Sequence, residues 1–163
     1  MYPTIVPTEY AATTKDFLKI KQDRSGAARI HAGQVSVPSA TAATSTVGLV
    51  PFVKGARFSI NNTSVYVDDL DTATNVTTTL GWIYEDTVNN TNNLTGWASS
   101  STIGQTAGFI TVGNPNGLSF VATGNGWVVA QILAGPTTTT GNISFEISGA
   151  YDGIGVDNQN NQS

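Results

Sequence analysis

From Ala28 to Ala150 the chain reads as short extended runs in which apolar and polar side chains alternate, separated by clusters of Gly, Asn and Pro. Asn142–Ala150 is the clearest run, with Ile143, Phe145 and Ile147 on one side and Ser144, Glu146 and Ser148 on the other. A period of two is the signature of a strand buried on one face. Val76–Glu85 repeats the pattern, placing Leu80, Trp82 and Tyr84 opposite Thr79, Gly81, Ile83 and Glu85. Trp127–Leu133 is almost continuously apolar, as expected of a central strand covered on both faces. Further strands are predicted over Arg29–Val37, Leu94–Ile103, Phe109–Val112 and Leu118–Ala122. Val47–Val53 contains Pro51, which cannot donate a ladder bond and belongs on an edge or at a bulge. Phe58–Ile60 and Ser64–Leu70 flank Asn61-Asn62-Thr63, which has the composition of a hairpin turn. Ser39–Thr46 reads as a small-residue linker, with no side chain worth burying.

Many short strands spaced by about 8–12 residues predict an all-β domain, a single β-sandwich or barrel, with the jelly roll as leading candidate. At 163 residues the chain has room for one core. Residues 1–26 break the pattern. Pro3 and Pro7 discourage regular structure there, and a basic cluster follows before Gly26. Leu18 and Ile20 alternate with Lys19 and Lys21 as in an edge strand, although Lys15 and Lys19 are equally spaced for one helical turn. Too few apolar residues are present for a separate core, so the segment is expected to be an extended N-terminal arm ordered by whatever it lies on. The expected division is an arm over 1–26, a β-sandwich over 27–152 and a polar tail over 153–163.

Charge sharpens this division. All seven Lys and Arg lie between Lys15 and Arg57; against Glu9, Asp16 and Asp23 they give residues 1–57 a formal charge of +4. The remaining 106 residues carry eight carboxylates and no cation, a formal −8. Such asymmetry points to attachment through the basic part. Only 11% of residues are charged, against about 25% in an ordinary domain, and 24 Thr, 14 Asn and 13 Ser take their place. Without Cys there is no disulfide framework, thiolate metal site or Cys nucleophile. Met1–Tyr10 lacks the features of a secretory leader, and no apolar run is long enough to span a membrane as a helix. The expectation is a protein made in a bacterial cytoplasm; the seven Asn-x-Ser/Thr sequons follow from Asn- and Thr-rich composition.

Candidate chemistry is sparse. His31 is the sole histidine, with no patterned nucleophile beside it, and reads as structural. Asp68, Asp69 and Asp71, with Asn75, offer oxygen ligands to a cation, or else close a turn at a strand end. Glu85-Asp86 lacks a partner spacing that would mark a glycosidase. Gly153-Ile154-Gly155 lacks the helix a nucleotide fingerprint requires. Trp82, Trp97, Trp127, Tyr66 and Tyr84 are candidates for a sugar-stacking platform. Trp82 and Trp127 sit in apolar strands and read as core; Trp97, between Gly96 and Ala98, is the one expected at the surface, for glycan or subunit contact. Nucleic-acid binding is disfavoured by the acidic body and by the lack of aromatics interleaved with the arm's cations. No enzyme, cofactor or metal is expected.

The composition, the missing Cys, the linear basic arm and the short-strand body together resemble a tailed-bacteriophage virion structural protein. The chain is most similar to capsid decoration, or cement, proteins, notably over Phe17–Ala32 (FLKIKQDRSGAARIHA) and Asn114–Leu133. That resemblance implies a trimer seated on the outside of a capsid, gripping the major capsid protein through its arms. On this sequence the gripping residues would be Lys15, Phe17, Leu18, Lys19, Ile20, Lys21, Arg24 and Arg29. Deleting residues 1–24 would then leave a folded body that no longer binds. A fibre or receptor-binding module contacting host glycans, and a tail-tube or adaptor subunit, are the alternatives.

Overall fold

The computed structural model describes residues 1–6, 29–113 and 119–151. Nine strands form two antiparallel sheets: β1 (Arg29–Val37), β2 (Thr46–Phe52), β3 (Ala56–Val67), β4 (Thr77–Tyr84), β5 (Asn93–Ser101), β6 (Gly108–Phe109), β7 (Ser119–Val121), β8 (Gly126–Ala134) and β9 (Gly141–Tyr151). One sheet has the order β1-β9-β3-β6, with β7 also paired to β3, and the other the order β2-β8-β4-β5. If β6 and β7 count as one interrupted strand, the chain wraps two four-stranded sheets in jelly-roll order. The last two long strands, β9 and β8, lie inside their respective sheets, so the fold closes only when its C-terminal part arrives.

Alternation decides which way each strand faces. On β9, Ile143, Phe145 and Ile147 are buried between the sheets while Ser144, Glu146 and Ser148 point away. Strand β8 is buried from Gly126 through Ile132, on both faces. Its outward Trp127 and Val129 cluster with Ile83 of β4, and Val6 and Leu94 pack against them. The first six residues are therefore part of the body. Ile5 bridges Val47 in parallel, its N–H and carbonyl bonding Thr46 O at 3.0 Å and Gly48 N at 2.7 Å. The Met1 amino nitrogen donates to Tyr84 O and Glu85 O at 2.9 and 3.0 Å. The expected arm boundary at residue 26 fails for Met1–Val6, because the outward apolar face of β8 needs a cover and this segment supplies part of it.

Two further expectations are corrected. Asn61-Asn62-Thr63 is no hairpin: β3 runs through it, and its pairing with β9 jumps from Ser59↔Ser148 to Thr63↔Ile147. Both halves of β3 stay beside β9, so long-range pairing outweighs local turn chemistry, and the surplus residues form a bulge closed by Thr63 Oγ1 donating to Ser59 O at 3.0 Å. The Ser39–Thr46 linker does bury side chains. Thr41 is 8% exposed, donating through Oγ1 to Pro38 O at 2.7 Å and through its N–H to Thr137 Oγ1 at 2.9 Å. Pro51 does lie on an edge strand, β2, whose register with β8 shifts between Gly48 and Val50.

Both ends of the sandwich are fastened. At one end Phe120 of β7 meets Trp82, Phe52, Trp97 and Phe58, with ring centroids 4.5, 5.6, 5.9 and 6.2 Å away. Trp82 reaches inward because Gly96 lies beneath it; a Cβ there would sit 2.0 Å from the indole. At the other end Asp71, almost fully buried, accepts from the N–H groups of Ala73, Asn75 and Val76 at 3.0, 2.8 and 3.1 Å and from Thr138 Oγ1 at 3.0 Å. Thr138 Oγ1 also receives the Thr72 N–H at 2.7 Å, and Thr137 Oγ1 donates to Pro38 O at 2.8 Å. The threonine run thereby ties the β8–β9 loop to the two neighbouring loops.

Two outcomes follow from these fastenings. Phe120→Ala removes the hub of the aromatic cluster and should destabilise the domain by about 3–5 kcal/mol in urea unfolding. The Asp71 carboxyl is held down to about 2, chiefly by the Asn75 N–H and then by that of Ala73. A lowered folded-state pKa adds stability that is complete above the unfolded value of about 4 and disappears as pH falls through about 2. Asp71→Asn should lower Tm at pH 7, and the gap to the unmodified protein should close toward pH 2 in a calorimetric pH series.

Candidate interaction surfaces

Seven of the eight expected gripping residues — Lys15, Phe17, Leu18, Lys19, Ile20, Lys21 and Arg24 — lie outside the described residues. Arg29 opens β1, its backbone opposite Gly149 of β9. The flanks of the cationic segment are informative. Val6 packs on the outward cluster of the β2-β8-β4-β5 sheet, and Arg29 starts the edge strand of the other sheet. In sequence, the basic stretch lies between these two described points. Fully extended, 22 residues span at most about 75 Å, or about half that out and back.

Trp97 is not at the surface. It is 0% exposed, within the core cluster and 5.9 Å from Phe58 by ring centroids. Neighbouring small residues suggested an open position, but the strand turns the indole inward between the sheets, where it contacts neither a glycan nor another subunit. Trp127 is buried as expected, and half-buried Trp82 packs on the core while donating to Thr91 O at 3.3 Å. Of the expected stacking residues, Tyr66 does reach the surface, beside a residue that the sequence did not single out. Phe109 of β6 is 63% exposed and meets Tyr66 edge-on with centroids 5.1 Å apart.

That pair borders the outward face of the β1-β9-β3-β6 sheet, which strand register lays out as a grid. One row runs Ile30, Ser148, Ser59 and Ser119; the next Ala32, Glu146 and Ser64; the third Gln34, Ser144, Tyr66 and Phe109. Small side chains make the face flat. Tyr66 and Phe109 rise at one border, and at their foot lies an open cleft of ≈ 460 Å³ lined also by Ala32, Ser64, Ser144 and Glu146. Gln34 Nε2 donates to Ser144 Oγ at 3.1 Å in the same row as Tyr66 and Phe109.

The other polar clusters are committed to the fold. Asp68 Oδ2 accepts from the Asn142 N–H at 2.8 Å and from its side-chain amide at 3.1 Å, and Asp69 Oδ1 accepts from the Asp71 N–H at 3.2 Å. With Asp71 these carboxylates close turns. Among the described residues no group of three His, Asp or Glu is placed to hold a metal ion. Asp86 sits in a polar cleft with Lys54, Glu85, Asn89 and Asn90. Its carboxyl is lowered first by the Asn89 side-chain amide and then by the Val88 N–H, bonds at 2.7 and 2.9 Å that shape its own loop. His31 is half-buried with its ring 6.4 Å from that of Phe58.

No protein-family model matches the chain, and no curated protein matches it by sequence. Among solved structures it is similar to a chain in the capsid of Ralstonia phage GP4, with a TM-score of 0.61 and 19% identity over 85% of this chain and 94% of that one. It is also similar to a chain of the cyanophage Pam1 capsid asymmetric unit, with a TM-score of 0.57 and 21% identity over 77% of this chain and 85% of that one. At these identities the likeness establishes a shared fold.

Proposed function

We propose that this chain is a structural protein of a phage virion, and within that class a decoration protein on the outside of the capsid that binds the major capsid protein. The observation that carries this reading is the extent of the structural likeness. The likeness spans 85% and 77% of this chain and 94% and 85% of two chains that belong to phage capsids. The fold alone is compatible with many activities; charge and surface supply the rest.

In this reading the cations between Lys15 and Arg29 steer the protein to an acidic lattice, and Phe17, Leu18 and Ile20 anchor it once ions are displaced. Many copies on one shell act together, so modest affinity per copy suffices. Association of the copies as trimers accords with a body poor in charge, whose hydroxyls and amides pair across an interface without large desolvation cost. Neither catalysis nor a cofactor enters this role.

The test must spare Met1–Val6, since deleting residues 1–24 would also uncover Trp127 and Val129. Replacing Lys15, Lys19, Lys21 and Arg24 by Ser keeps the cover and removes four charges. The variant should unfold at the same urea concentration as the unmodified protein, yet cosediment with capsids about tenfold more weakly at low salt. Undiminished occupancy would remove the basic segment from the attachment mechanism.

A further inference from the structure

We propose that the cleft at the foot of Tyr66 and Phe109 is a binding site for a neutral or amino sugar. This goes beyond capsid attachment and does not depend on it. Three features converge there. First, Phe109 is 63% exposed, whereas Phe120 on the companion strand β7 points inward. An aromatic ring held at the surface and braced edge-on by Tyr66 at 5.1 Å presents a firm apolar plane. A pyranose has one face of C–H groups that matches such a plane.

Second, the polar groups are of the kind that meets the hydroxyl rim of a sugar. Glu146 is exposed, and among the described residues its carboxylate has no hydrogen-bond partner. It faces Ser64 across the β9–β3 pair, while Ser144 faces Tyr66. Tyr66 and Glu146 are diagonal neighbours on one face, a separation of about 7–8 Å between their backbones. A ring stacked on the aromatic border therefore brings its hydroxyls over Glu146, whose carboxylate accepts from two at once, with Ser64 and Ser144 able to donate or accept. Third, the floor is made of Ala32 and Ser side chains, which leave the ≈ 460 Å³ cleft open to a ligand larger than water.

Charge narrows the class. Glu146 is the sole charged group among the described residues lining the cleft, so uronic and sialic acids meet repulsion there, while hydroxyls or an ammonium meet an acceptor. One carboxylate without a second gives binding and no cleavage, because glycosidic hydrolysis needs a pair. Exposure on a protein bound to a particle in many copies would make weak sugar contacts additive.

The purified full-length protein, displayed multivalently on beads, is tested on a glycan array containing neutral, amino and acidic sugars. Binding to neutral or amino glycans is expected, with Phe109→Ala and Glu146→Gln each reducing the signal about tenfold at unchanged Tm. Because both side chains are at the surface, these variants fold, and capsid cosedimentation should be unaffected. Absence of any glycan signal, preference for acidic glycans, or signal indifferent to both variants overturns the proposal. So does a native mass showing copies that separate on Phe109→Ala, which would make a second copy the occupant of this face.

Discussion

Strand β8 is apolar on both sides, and a strand with two such faces has no stable place at the surface of a monomeric sandwich. The inner side is met by the opposing sheet. The outer side, Trp127 and Val129 with Ile83 of β4, is met in part by the first residues of the chain, lying along β2 with Ile5 paired to Val47. That cover fixes the asymmetry of the molecule. One sheet has its outward apolar cluster partly covered, and the other turns a flat, serine-lined face outward. It also decides where the basic segment is attached, because the described chain breaks off the partly covered sheet at Val6 and resumes at Arg29 on the edge of the other.

Much of this was legible in the sequence. Arg29–Val37 forms a strand with the expected ends, β9 alternates as read, and the continuity of Trp127–Leu133 correctly marked a central strand. Those signals survive because burial imposes a period that neighbouring residues cannot disguise. What could not be read depended on distant partners. Asn61-Asn62-Thr63 has turn chemistry, yet β9 holds both flanks in one strand. Met1–Val6, with two prolines nearby and weak patterning, gave no hint of the apolar face waiting for it some 120 residues later.

The surface was harder to foresee than the core. Trp97, expected at the surface, is buried, and Phe109, which the sequence did not single out, is exposed. Small residues on either side of Trp97 reported close packing of β4 against β5, where Gly96 makes room for Trp82. Phe109 read only as part of a strand, but β6 is two residues long and stands at the border of its sheet, with no layer above it among the described residues. Orientation in a short edge strand follows the pairing register, which local sequence does not encode.

The loops are joined by carboxylate-to-amide and hydroxyl-to-carbonyl bonds, centred on Asp71 and the threonines after Pro136. Such short-range bonds are almost indifferent to dissolved ions, whereas steering by clustered lysines weakens as the Debye length shrinks. Cohesion and adhesion in this molecule therefore answer to different solvent variables. Brine would loosen the attachment proposed for the basic segment and leave the globule intact, while strong acid would unlatch Asp71 and attack the globule itself.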